Sequence, residues 1–473
     1  NILNFRSDYP DQKIFKLEQN YRSTKVIVGA ANSLIEKNKD QIPKTIWTDN
    51  VEGEKIRVHR SLTDNDEGHF VAHTIFETKM QNQVPNRGFA ILYRTNAQSR
   101  SMEEALRKLN IPYRIYGGTS FYQRKEIKDL ISYFRLVCNP NDEEALKRVI
   151  NFPVRGIGQT TIEKLMVTAA RLEMSIWDVI QKHPEAVDVH GGTRKALGDF
   201  VVMIESFRTM MDTRTAHAMG EYIAQKTGVL KDFFADKTPE GVSRYENIQE
   251  LLAGMKEFSE VNTEGTDLPR TLSDFLIDVA LLTDADNTDP NDNDRVSLMT
   301  IHSAKGLEFP YVHVVGLEED LFPNLMSVQS RADLEEERRL FYVALTRAEK
   351  RSTLSYAISR YKWGNLTASE PSRFIDEIDP KYLELPAQNE RGAFSTGHYE
   401  RPGTPPWARQ ARGVDRPADE RSSSKPVYGR ERSAPVVGKG NAASPLTPLP
   451  RRGESAPKPV AKPGNLKRIS AQG

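Results

Sequence analysis

Residues 336–349 read EERRLFYVALTRAE, the central part of a predicted helix over residues 333–350. The helix sits between two predicted strands, residues 311–315 (YVHVV) and 353–357 (TLSYA). Strand, helix, strand in that order predicts two parallel strands joined by a crossover, the unit of an α/β sheet. The charged opening, ADLEEERR, reads as a solvated face whose helix pairs contribute about 0.2–0.5 kcal/mol each.

The same alternation is found elsewhere. Residues 55–62, 88–95 and 113–117 are rich in β-branched and aromatic side chains and read as strands. Helices are predicted at 25–37 and 103–109 between them, and another strand at 295–301. From 121 to about 289 the pattern becomes nearly all helical, with apolar residues at helical spacing over 126–139, 142–151, 160–173, 194–212, 242–261 and 271–282. Residues 283–294 (TDADNTDPNDND) form a polar, turn-rich linker. The economical reading is one parallel-sheet α/β domain, residues 1–120 and 294–382, interrupted by an all-helical insertion, residues 121–293. A tail, residues 383–473, follows.

Composition narrows the function classes. The 66 Lys+Arg and 65 Asp+Glu nearly cancel in 473 residues, but unevenly. Residues 387–473 carry a net +9, leaving −8 for the remainder. A neutral total therefore leaves a nucleic-acid partner open, because a local groove can still be basic. The single Cys138 rules out an internal disulfide and a Cys-based zinc cluster. It fits a reducing compartment, so a cytoplasmic location is expected. No apolar run approaches the roughly 18 residues of a membrane span, so no membrane partner is expected. Residues 387–473 hold 12 of the 27 prolines and lack apolar periodicity, which predicts a disordered basic segment. It is either a solvated tail without a partner or a weak contact for nucleic acid or for repair and replication proteins.

Two further stretches carry recognisable chemistry: LEQNYRST at residues 17–24 and LMTIHSAKGLEFP at 298–310. With EERRLFYVALTRAE, and in the same order, they resemble signature motifs of the UvrD/PcrA/Rep family of DNA helicases, superfamily 1A. The resemblance covers roughly residues 1–382 and corresponds to the family's C-terminal half. It implies a RecA-like motor domain, 2A, interrupted by a helical domain, 2B. It also implies an ATP-dependent 3′–5′ helicase or translocase acting in DNA repair or replication, with ATP and Mg2+ as cofactors. The implied partners are single-stranded DNA, single/double-strand junctions and an N-terminal motor half. No G-x-x-x-x-G-K-[ST] phosphate loop occurs in the chain. That loop and the metal ligands are expected upstream of Asn1, since the chain starts with Asn rather than Met. The rival reading is a non-catalytic nucleic-acid-binding or regulatory module. A nuclease would need an acidic cluster and a Lys in a C-terminal domain, which the Pro-rich tail does not offer.

Residue roles follow from the resemblance. Tyr21 is expected to stack on the base and Arg22 to approach the γ-phosphate, although on composition alone an exposed Tyr-Arg pair is ordinary surface. Ser23 or Thr24 would cap the following helix. Lys305 and Gly306 are expected to line the nucleotide side and Glu308 to meet the ribose. Arg347, near the end of the 333–350 helix, corresponds to the arginine finger. His302 is expected to touch single-stranded DNA, where a lone strand-end His is otherwise structural. Arg94 and Asn96, in YRTNAQSR at residues 93–100, are expected to contact DNA, the alternative for Asn96 being a helix cap. In RGIGQTT at residues 155–161, Gly156, Ile157, Gly158 and Thr161 resemble the family's duplex-binding hairpin, the alternative being a plain turn. Arg338 and Arg339 are expected to hold their motif in place through carboxylate pairs. The glycine pairs at 117–118 and 191–192 read as hinge and loop positions.

These 473 residues alone are expected to show no DNA-stimulated ATP turnover, because they contain no phosphate loop. Turnover by the purified chain above that of its Arg347→Ala variant refutes this.

Overall fold

The run FAILY at Phe89–Tyr93 is buried at all five positions, as expected of a strand covered by helices on both faces. In the computed structural model, which describes residues 9, 11, 13 and 15–386 apart from 43, 261–268, 285–292, 326 and 363–364, it lies in the interior of the sheet. The elements begin with α1 (Lys25–Ile35), β1 (Ile56–Ser61), α2 (Asp64–Asn82), β2 (Phe89–Tyr93), α3 (Ser99–Lys108) and β3 (Tyr113–Ile115). Nine α-helices among the described residues follow: α4 (Lys125–Cys138), α5 (Glu143–Val149), α6 (Gln159–Leu172), α7 (Ile176–Lys182), α8 (Gly191–Arg208), α9 (Ala216–Lys226), α10 (Val229–Ala235), α11 (Pro239–Glu260) and α12 (Leu272–Asp284). The sheet resumes with β4 (Val296–Thr300), β5 (Phe309–Val314), α13 (Arg331–Leu345) and β6 (Ala348–Ala357). Then come β7 (Ser359–Lys362), β8 (Asn365–Ala368), α14 (Arg373–Glu377) and β9 (Leu383–Glu384).

Seven strands pair in the order β3-β4-β2-β5-β6-β1-β9, every pair parallel. Alternation along β2 feeds two cores. Ala90 and Leu92 join α1 and the Phe341, Ala344 and Leu345 face of α13. Phe89, Ile91 and Tyr93 join Val71, Ala72 and Ile75 of α2 and Met102 and Leu106 of α3. The helices α4–α12 surround a third core containing Phe121, Leu130, Phe134, Phe200, Ile204, Ile223 and Leu251.

Several expectations are corrected. Helix α2 is absent from the sequence reading because it buries only a narrow stripe, Gly68, Val71, Ala72 and Ile75, beside Asp64, Glu67 and Thr78. Its start was legible: the Thr63 hydroxyl accepts the Asp66 N–H (3.2 Å), and the Asp66 carboxylate accepts the Thr63 N–H (3.1 Å). Helices α7, α9 and α10 were also unread, and Gly191 and Gly192 open α8 rather than forming a loop. The helix predicted at 333–350 stops at Leu345, and Arg347 occupies the short turn before β6. Leu383 and Glu384, assigned to the tail, instead add β9 to the edge of β1. Residues 387–473 and most of the 283–294 linker lie outside the described residues.

A buried ionic cluster joins the helical segment to the sheet. Arg100 of α3 donates to Glu250 (2.8 Å) and Glu257 (3.4 Å) of α11 and to Glu104 (3.2 Å), and lies 3.6 Å from Asp64. Arg360 of β7 donates to Glu318 (2.7 Å) and Glu67 (2.9 Å) and lies 3.6 Å from the same Asp64. Six carboxylates thus share two guanidinium groups, both nearly buried. Burial of such an excess of negative charge favours holding a proton. It pushes the Glu257 carboxyl up to about 8, against the pull of Arg100.

A carboxyl raised in the folded state contributes stability that is fully present below its unfolded value, about 4.3. That contribution is lost as pH rises through about 8. Glu257→Gln removes the titration, so the variant is expected to gain stability relative to the native chain as pH is raised from about 5 to 8. Urea unfolding of both proteins at the two pH values checks this; a stability difference independent of pH refutes it.

Candidate nucleotide and nucleic-acid site

At the amino edge of the sheet the structure brings together residues about 300 positions apart. Asn20 begins the arrangement: its side-chain oxygen accepts the N–H groups of Arg22 and Ser23, both at 2.8 Å, turning the chain before α1. Ser23 donates to the Ala348 carbonyl (2.7 Å) and the Thr24 N–H to that of Glu349 (3.2 Å), fastening the turn to the start of β6. Thr24 occupies the cap position of α1, but its hydroxyl makes no capping bond.

Arg22 is thereby placed against Glu308, Nε to Oε2 2.6 Å, and donates to the Thr346 carbonyl at 3.0 Å. Arg347 donates to the carbonyls of Val343 (3.0 Å) and Leu307 (2.9 Å) and to the Thr346 hydroxyl (3.2 Å). Burial and the neighbouring Arg22 charge both lower the Arg347 pKa from its ordinary value, with Glu308 opposing. Tyr21 stands 77% exposed beside them, its hydroxyl bonded to Gln19 at 2.7 Å. Lys305 and Gly306 are exposed in the adjoining loop, Gly306 at φ +92°, a backbone conformation suited to glycine.

The carboxyl edge holds the second group. Arg94 and His302 lie just beyond the paired ends of β2 and β4, where Tyr93 faces Thr300. Arg94 forks onto Glu337 of α13, with Nη2 to Oε1 2.8 Å and Nε to Oε2 3.1 Å. Burial, then the Arg94 charge, lowers the His302 pKa, which favours the neutral ring near pH 7. Asn96 is exposed, and its carbonyl accepts from Arg124 at 2.9 Å. The Thr95 N–H and Arg94 N–H are both capped by Gln98, each at 2.9 Å.

Residues 301–308 run from the carboxyl end of β4 to the amino end of β5. This loop therefore touches both groups, with His302 at one end and Leu307 and Glu308 at the other.

Residues 15–359 match the family described as the UvrD-like helicase C-terminal domain. The chain belongs to this family. It is 43% identical over 389 residues to ATP-dependent DNA helicase PcrA of Bacillus subtilis (strain 168), covering 81% of this chain and 52% of that protein. It is 41% identical over 396 residues to ATP-dependent DNA helicase PcrA of Staphylococcus aureus (strain MRSA252), covering 83% and 53%. The match to ATP-dependent DNA helicase PcrA of Leuconostoc citreum is 40% over 385 residues, covering 81% and 51%. The chain thus spans about half the length of the curated relatives it matches.

In this UvrD-like chain the hairpin at residues 155–161 belongs to the helical segment, and its geometry changes the expectations placed on it. Ile157 and Thr161 are buried, so neither side chain faces outward. The Asn151 side chain accepts the N–H groups of Arg155 (2.8 Å) and Ile157 (3.1 Å). The Arg155 guanidinium is spent on the carbonyls of Val149, Phe152, Pro153 and Thr227. The outward atoms belong to Gly156, Gly158, Gln159 and Thr160, where α6 begins. Positive φ occurs at Gly156 (+77°), whereas Gly158 has φ −77° and no atom within 4 Å of an added Cβ.

Sequence reasoning missed Thr346 and Glu337. Thr346 meets both Arg22 and Arg347, through its carbonyl and its hydroxyl. Glu337 lay in a charge run read as solvated, yet both it and Glu335 are buried. The positioning expected of Arg338 and Arg339 is visible: Arg338 forks onto Glu377 (2.6 and 2.8 Å) and Arg339 pairs with Glu336 (2.9 Å).

Gly158→Val is expected to fold normally, since the new side chain enters open space. In the full-length protein it is expected to weaken binding to a single-strand-tailed duplex about tenfold, ~1.4 kcal/mol, leaving single-strand binding unchanged. Thr161→Ala is expected to leave both affinities in place. Fluorescence anisotropy with the two substrates checks this; equal losses on both, in folded Gly158→Val, remove the hairpin from duplex binding.

Proposed function

We propose that this chain is the C-terminal part of an ATP-dependent 3′–5′ DNA helicase or translocase serving repair or replication. The carrying observation is that one sheet presents Arg22 and Arg347 at one edge and Arg94 and His302 at the other, bridged by residues 301–308. Two guanidinium groups beside an exposed tyrosine form a donor set suited to a nucleoside triphosphate. The sheet and its helices would act as the RecA-like domain 2A, residues 1–120 and 294–382. The helical segment, 121–293, would act as domain 2B.

In this reading Tyr21 stacks on the base, Lys305 and Gly306 flank the nucleotide, and Glu308 meets the ribose. Arg22 then exchanges its Glu308 partner for phosphate oxygen, and Arg347 leaves its carbonyl partners to face the γ-phosphate. Bound Mg2+ would neutralise charge on the phosphates. By the family resemblance its ligands are assigned to an N-terminal motor half. Arg94, Asn96 and His302 contact single-stranded DNA, while the α6 hairpin faces the duplex at a junction. A cytoplasmic location is proposed because the single Cys138 fits a reducing compartment. Repair or replication proteins remain the partners proposed for the tail.

In the full-length protein Arg347→Ala is expected to lower DNA-stimulated ATP turnover about 10³-fold while sparing DNA affinity. A loss below about tenfold excludes Arg347 from phosphoryl transfer.

A further inference from the structure

We propose that Glu337 is a positioning residue that presents Arg94 to DNA and ties it through α13 to Arg347, so that strand binding and ATP turnover are coupled along this helix. The inference rests on the motor reading above.

Arg94 emerges at the carboxyl end of β2, and Glu337 of α13 fixes its long side chain. The two Glu337 oxygens take one edge of the guanidinium, with Nε at 3.3 and 3.1 Å and Nη2 at 2.8 Å. The carboxylate is 8% exposed and the arginine 21%, so the pair is only partly screened by water. The remaining edge, with Nη1, is left for an incoming phosphate. An arginine held this way loses less freedom on binding than one free to rotate.

Helix α13 is itself held along its length. Near its start the Glu335 carboxylate accepts the N–H groups of Lys39 (3.1 Å) and Asp40 (3.2 Å). Arg338 reaches Glu377 and the Asn38 side chain (2.6 Å). Phe341, Ala344 and Leu345 are fully buried in the sheet core. A helix so packed shifts as a unit, and its 15 residues span about 22 Å. Its last turn supplies the Val343 carbonyl that holds Arg347, and Thr346 follows directly. Phosphate at Arg94 would draw on the Glu337 carboxylate, and the resulting shift of α13 would be felt where Arg347 is held. Residues 301–308 provide a second span between the same edges.

The test measures single-strand-stimulated ATP turnover in the full-length protein, with Arg94→Gln, Glu337→Gln and the double variant forming a cycle. Glu337→Gln is expected to lower the stimulated kcat about tenfold, ~1.4 kcal/mol of activation free energy. The DNA concentration giving half-stimulation is expected to stay within about threefold. The double variant is expected to match Arg94→Gln within about twofold, since Glu337 acts through Arg94. A general structural role would instead give the same further loss in the Arg94→Gln background, and that additivity overturns the inference. If Glu337→Gln does not fold, Arg94→Lys leaves α13 untouched, retains charge and removes the fork. It is expected to lose stimulation to a similar degree, and full stimulation overturns the inference. Native protein without DNA stimulation would overturn the motor reading and this inference together; stimulated native protein with an equally stimulated Glu337→Gln overturns the inference alone.

Discussion

Strand β4 pairs with β2 on one side and with β3 on the other, although β3 precedes it by about 180 residues. Much else in the molecule follows from this placement. The helical segment must leave from the carboxyl end of β3 and return to the amino end of β4. Because β2 separates β4 from β5, residues 301–308 must then pass β2 and travel from the carboxyl to the amino edge. The sheet order therefore brings His302, Leu307 and Glu308 into one short loop that reaches both edges.

The three arginines assigned to ligands are not idle. Glu308 holds Arg22, backbone carbonyls hold Arg347, and Glu337 holds Arg94. These restraints differ in kind. The Arg22 pair is solvent-accessible, and exposed ion pairs contribute only about 0–1 kcal/mol, so exchange for phosphate costs little. Arg94 is deeper, and its forked geometry can be retained while its other edge meets a ligand. In the proposed reading Arg22 would change partner, whereas Arg94 would keep its partner and act.

The parallel sheet was legible because β2, FAILY, is a continuous apolar run and because strand-like and helical stretches alternate along the chain. Helix α2 was less so: with Asp64, Glu67 and Thr78 on its buried side, its inward face lacks a broad apolar stripe. The end of α13 was misplaced because AEK continues a helix-forming sequence. Pairing of Ala348 with Phe309 overrides that propensity and frees Arg347 from the helix. Arg22 and Glu308 were singled out through motif resemblance, since no local pattern reports that residue 22 meets residue 308. Thr161 shows the reverse limit: the motif drew attention to the hairpin, but only packing reveals that this residue is buried. Glu337 was hidden because a carboxylate in a charged helix start resembles solvated surface until its partner from β2 is known.

The parallel sense of β3 and β4 sets a rule for anyone wishing to trim the molecule. Antiparallel neighbours can be rejoined by a two-residue hairpin, but parallel neighbours need a return path of about a dozen residues or more. A version lacking α4–α12 would therefore need a replacement bridge along the sheet, ideally a short helix supplying carboxylates for Arg100 in place of Glu250 and Glu257 of α11. Joined by a tight loop, β4 could not keep its register with β3, and the displaced edge strand would expose unpaired backbone to self-association.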